Sequence, residues 1–143
     1  MTKEKEEVKE KIAEILKSND AMNISTTGGK YSPWILGVYF VSEELTLYVL
    51  LETEGKSMAN LKINNNVAIS ISKNDAMQDF LQGYGKAVIL DSSKEPEVRE
   101  MILAKMPWFQ TFTPVTPVRI EIKEYFVSSL SKGWFPAKRY ELN

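Results

Sequence analysis

Between Met22 and Leu51 the chain passes through three extended segments separated by connections too short to hold a helix. Met22 to Thr27 alternates and is rich in β-branched residues, and Gly28-Gly29 follows as a turn that admits positive φ. Pro33 to Val41 is apolar nearly throughout, Glu43-Glu44 makes a polar turn, and Leu45, Leu47, Val49 and Leu51 share one face of a third strand. Connections this short join antiparallel neighbours, because a parallel pair needs a crossover of roughly a dozen residues or more. The chain is therefore expected to open its sheet with three consecutive antiparallel strands.

The flanking segments extend this pattern. Val8, Ile12, Ile15 and Leu16 recur at helical spacing, with Thr2 as a cap, which predicts an amphipathic helix over about 3–17. Lys56 to Asn64 reads as a short helix, and Val67, Ile69 and Ile71 alternate with small residues in a fourth strand. A fifth runs from about Phe80 to Leu90, where Gly83 and Gly85 predict a bulge or a close approach by another backbone or a ligand. Ser93 and Pro96 mark the start of a helix whose apolar face is Val98, Met101, Ile102 and Met106, ending before Pro107. An aromatic-rich loop leads to a sixth strand through Val118, Ile120, Ile122 and Val127. The expected fold class is mainly β with helices (α+β), a six-stranded antiparallel barrel in one domain spanning 1–143.

Composition limits the chemistry. Cysteine and histidine are both absent, which excludes disulfides, thiol nucleophiles, Cys/His zinc sites and histidine-based triads. Carboxylate, lysine or hydroxyl chemistry remains, or a bound cofactor with its own reactivity. The acidic residues are too scattered to argue for a metal site, and none is assigned. Eighteen basic against nineteen acidic residues leave a net charge of −1, without the basic footprint of nonspecific nucleic-acid binding. No stretch approaches the roughly 20 apolar residues of a membrane span, and the N-terminus lacks a signal-peptide apolar core, so a cytoplasmic location is the expectation.

In order and spacing the motifs resemble the FMN-binding split-barrel superfamily, the pyridoxamine 5′-phosphate oxidase-like proteins, and within it the small general-stress-protein-like members. Ile24-Ser25-Thr26-Thr27-Gly28-Gly29-Lys30 looks like that family's first hairpin. Lys56-Ser57-Met58-Ala59-Asn60-Leu61 followed by Asn64-Asn65-Asn66-Val67-Ala68 is similar to its "K-x-x-N-L, then N-P-x-V" passage. Gly83 to Asp91 looks like its "G-x-A … D" strand, with Pro107-Trp108-Phe109 similar to the aromatic loop beyond. The resemblance implies a split barrel and a homodimer with FMN at the subunit interface. It implies phosphate anchoring by Lys56 and Ser57, with Asn60 in the same passage. The flavin ring would lie against strand backbone around Ile35, Leu36, Val49 and Leu50, and Trp108 would cover it.

A helix N-terminus suits a phosphate and disfavours a cation, so Lys56 at that place fits best when an anion comes to it. The structural alternative is an ion pair of Lys56 with Glu52 or Glu54. Trp108 has an equally plain alternative as a plug of the barrel end, and Trp34 reads as core or dimer interface. Two departures from the family matter: Glu54-Gly55 precede the lysine where a serine or arginine is common, and the histidine-containing C-terminal substrate segment of true pyridoxamine phosphate oxidases is missing. The expected function is an FMN-dependent oxidoreductase, not a true pyridoxamine phosphate oxidase, working with a small-molecule electron donor and acceptor. A nonenzymatic flavin-storing protein and a deazaflavin-dependent reductase are the alternatives, and haem is disfavoured by the lack of histidine.

Overall fold

In the computed structural model, which describes residues 1–142, helix α1 (Lys3–Ser18) starts at Thr2, whose hydroxyl accepts a hydrogen bond from Lys5 N at 3.1 Å. Its Val8, Ile12, Ile15 and Leu16 are the buried face, as the spacing requires. Strands β1 (Ala21–Thr26), β2 (Trp34–Tyr39), β3 (Val41–Glu43) and β4 (Thr46–Glu52) follow, then the short helix α2 (Lys56–Leu61). Next come β5 (Asn66–Ile71), β6 (Phe80–Ile89), helix α3 (Glu95–Lys105), the long β7 (Val115–Ser129) and β8 (Trp134–Glu141).

All pairings are antiparallel, in the order β2-β1-β5-β6-β7-β4-β3, with β8 added to β7. The two ends of that order, β2 and β3, are consecutive in sequence with only Phe40 between them. The sheet must therefore curl until its ends meet, and the barrel closes there through covalent chain rather than through a ladder of hydrogen bonds. That seam is the split.

The strand count of six is corrected to eight. The apolar run expected as one second strand divides at Phe40, which is fully buried and whose amide donates to Asp20 O at 3.0 Å. Before the division the chain pairs with β1; after it, with β4. The other addition is the tail, which forms β8 along the far half of β7.

The barrel interior is one apolar cluster, including Ile24, Leu47, Val49, Ile69, Leu81, Ile120 and Tyr125, and α1 joins it from outside. Burial raises the phenol pKa of Tyr125, whose hydroxyl donates to Leu45 O at 2.8 Å. A second cluster forms where Val98 and Ile102 of α3, with Met106 just after it, cover Val41 and Leu50. Lys105 ties that helix to the rest: its ammonium donates to the carbonyls of Leu16, Asn19 and Phe40, and burial there lowers its pKa. The predicted bulge lies between Tyr84 and Gly85, where a Cβ on Gly85 would run into the Glu121 carbonyl.

Candidate functional site

Strand β2 pairs with β1 along one edge, and β4 beyond Tyr48 pairs only with β7. Among the described residues, the edges of β2 and of Val49 to Glu52 that border the split therefore have no strand partner. Such edges present free N–H and C=O groups. Between them lies a cleft of about 220 Å³, lined by Leu36, Val38 and Tyr39 on one side and by Leu50, Leu51 and Glu52 on the other. Phe109, Gln110, Thr111 and Phe112, from the connection between α3 and β7, form its rim. Among the described residues, Tyr39 and Glu52 are the only ones of its lining with an acidic side chain.

At the end of β4 the chain turns, with Gly55 N donating to Glu52 O at 3.0 Å, and α2 begins at Lys56. This helix packs against β1, β2 and β4, at the same end of the barrel as the start of β2. The Lys56 ammonium is 5.2 Å from the ring centres of both Tyr31 and Trp34. Among the described residues it has no carboxylate within ion-pairing distance, so the pairing with Glu52 or Glu54 is not formed. Beside it Ser57 is buried, and its Oγ has no hydrogen-bond partner among the described residues. A buried hydroxyl left so costs about 1–3 kcal/mol, and native proteins leave few. A lone donor next to an unpaired cation is the arrangement an anion would complete.

The remaining predicted residues divide. Leu36 and Leu50 both line the cleft, Leu36 packed against the barrel core and Leu50 against the α3 cluster, while the side chain of Val49 points into the barrel core and that of Ile35 outward, 64% exposed. Asn60 is fully buried, its Oδ1 accepting from Gly29 N at 2.8 Å and its Nδ2 donating to Thr26 Oγ1 at 3.0 Å. Both ends of its amide are thus engaged in bracing the β1–β2 connection on α2. Trp108 packs edge-on against Tyr39, with ring centres 5.0 Å apart, and stays 54% exposed; Phe109 and Phe112 line the cleft in its place. Sequence reasoning missed Tyr31, and its only sequence signal was an aromatic residue beside the Gly28-Gly29 turn.

Large apolar side chains remain in solvent along β2 and the rim, namely Ile35, Tyr39, Trp108 and Phe112, the last 88% exposed. Clustered exposure of this kind marks interaction surfaces. No helix is long and apolar enough to cross a membrane, and among the described residues no cluster of three acidic side chains could hold a metal ion.

No protein-family model and no curated protein matches the sequence. Solved structures do match. General stress protein 26 from Bacillus anthracis is 22% identical, with 94% of this chain and 98% of that one covered at a TM-score of 0.70. A candidate pyridoxamine 5′-phosphate oxidase from Listeria innocua is also 22% identical, over 84% and 97% of the two chains, at 0.69. A heme storage protein from Vibrio cholerae is 16% identical over 84% and 94%, again at 0.69. At these identities the likeness lies in the fold. The chain has the split-barrel fold of the pyridoxamine 5′-phosphate oxidase-like proteins.

Proposed function

We propose that the protein binds a flavin phosphate, FMN in its simplest form, and serves as an oxidoreductase between a small-molecule donor and acceptor. The observation that carries this reading is the orphaned, buried Ser57 hydroxyl in the residue after Lys56, whose ammonium has no carboxylate partner among the described residues, at the start of the helix that follows β4 and its free edge. Lys56 and Ser57 would hold the phosphate. The free N–H and C=O groups of β2 and β4 suit a ring whose edge alternates donors and acceptors, and the apolar lining of the cleft suits its faces. When bound, the flavin supplies the hydride or electron transfer, and the chain orients it and limits water around it.

The cleft is too small to do this alone. Its volume of about 220 Å³ is below the roughly 300–1,000 Å³ of pockets that enclose a ligand of this size. A second copy laid over Ile35, Tyr39, Trp108 and Phe112 would cover those side chains and add the missing wall, so the reading includes a homodimer with the cofactor at its interface.

One observation favours a storage role instead: among the described residues, Tyr39 and Glu52 are the only acidic side chains lining the cleft, so it offers few groups for proton transfer. A deazaflavin would use the same phosphate contacts. A haem would need an axial ligand other than histidine or cysteine, since the chain has neither. The test is to titrate the purified protein with FMN while following flavin absorbance, then to add NADH or NADPH to the complex. Saturable binding with reduction supports an enzyme, binding without reduction supports storage, and no binding removes the proposal.

A further inference from the structure

The Lys56 ammonium does not occupy the Tyr31 ring alone. Lys30, from the connection between β1 and β2, places its own ammonium 5.6 Å from the same ring centre, where Lys56 is at 5.2 Å. The two cations are therefore no farther apart than 10.8 Å, the sum of those distances. Among the described residues neither has a carboxylate partner. That separation is close to the Debye length of roughly 8 Å at physiological salt, so their repulsion is only partly screened. The Tyr31 ring is 46% exposed and meets Trp34 edge-on at 6.2 Å.

This pairing is built into the fold. The connection bearing Lys30 and Tyr31 is fixed to α2 by the hydrogen bond from Gly29 N to the buried Asn60. Gly28 has φ +113°, and a Cβ there would approach the Asn64 Cβ to 2.7 Å, so the turn sits directly on the segment after α2. The brace carries two unpaired cations and a half-exposed tyrosine, over whose ring both sit, to one place.

A monophosphate is met by Lys56 and Ser57. A second cation over a half-exposed ring matches a ligand that continues into a second phosphate and a base: the phosphates draw the ammonium groups off the ring, and the base stacks on the face they leave. We propose that Lys30 and Tyr31 form a subsite for an adenosine diphosphate group next to the Lys56 phosphate position. The group can arrive as the distal half of a dinucleotide flavin or as part of a nicotinamide dinucleotide. The inference rests on the flavin reading only for what lies beside the subsite.

The test compares wild type, Lys30→Ala, Tyr31→Leu and Tyr31→Phe by calorimetric titration with ADP, FMN and FAD, and with NADH added to FMN-loaded protein. ADP should bind wild type and weaken roughly tenfold or more in Lys30→Ala and Tyr31→Leu, about 1.4 kcal/mol per tenfold, while Tyr31→Phe restores it. FMN affinity should not change in Lys30→Ala. If FAD exceeds FMN in wild type and loses that advantage in Lys30→Ala, the flavin carries the group. If FAD and FMN are equal but NADH binding depends on Lys30, the nicotinamide dinucleotide carries it. FMN binding with no Lys30-dependent preference for ADP, FAD or NADH overturns the subsite and leaves the flavin reading standing. Lys30-dependent ADP binding without FMN binding does the reverse.

Discussion

Replacing Asn60 with alanine separates a brace from a ligand. The side chain is fully buried and makes two hydrogen bonds, from Gly29 N at 2.8 Å and to Thr26 Oγ1 at 3.0 Å. Removing it orphans the Thr26 hydroxyl, which is fully buried, and frees the Gly29 amide, which is only part-buried and can recruit water. One orphaned buried group at about 1–3 kcal/mol and one exchanged hydrogen bond at about 1 kcal/mol give a loss of roughly 2–4 kcal/mol. For a chain of this size, at about 3–4 °C per kcal/mol, the melting temperature should fall by roughly 6–16 °C. Urea unfolding followed by circular dichroism measures the change. The double variant Asn60→Ala, Thr26→Val should lose less than the sum of the single losses, because the second change removes the orphan left by the first. A fully stable Asn60→Ala protein that no longer binds flavin would refute the brace and make Asn60 a direct ligand.

Lys56→Ala removes a charge-assisted contact worth about 1.5–3 kcal/mol, so FMN should bind roughly 10–150-fold more weakly in the same absorbance titration. Its effect on the apo-protein should stay near about 0.5–1 kcal/mol, the worth of an exposed cation over aromatic rings, partly offset by relief at the helix N-terminus. Gly85→Ala should destabilise by about 3 kcal/mol in urea, since the new Cβ would overlap the Glu121 carbonyl and lie 2.8 Å from Ile122 Cα. Asp79 is 2.7 Å from the Lys11 ammonium, whose hydrogen bond holds its carboxyl below the usual carboxylate range. A depressed carboxyl stabilises the fold above its unfolded pKa and loses that contribution as pH falls through the folded one. Asp79→Asn should therefore be less stable than wild type near about pH 7, with the gap closing toward about pH 3 in pH-dependent melting curves.

Much of this architecture was legible because β1, β4, β5 and the first half of β7 carry an in-out alternation that only a two-residue period explains. The division at Phe40 was not, since an apolar run from Pro33 to Val41 carries no mark of which partner each half takes; that depends on curling of the whole sheet. Strand β8 was hidden by Pro136 and its charged neighbours, which an edge strand tolerates and a central one would not. At the site, Lys56 and Ser57 stood out by their motif, but Ser57's missing partner is a property of packing. Asn60 shows the converse: its motif marked it as important without saying that its amide faces inward. Trp108 was singled out by its place in the aromatic loop after Pro107, yet it packs edge-on against Tyr39 while its loop neighbours Phe109 and Phe112 line the cleft, a choice that depends on packing.

The central claim is that Lys56 and Ser57 hold a flavin's phosphate, and a paired titration of the wild-type protein with FMN and riboflavin tests it most directly. The two ligands share the ring and differ only in the group these side chains would bind. FMN should bind at least roughly tenfold more tightly than riboflavin, with the difference lost in Lys56→Ala. Equal affinities for the two in wild type would contradict the assignment and move the phosphate, if there is one, away from α2.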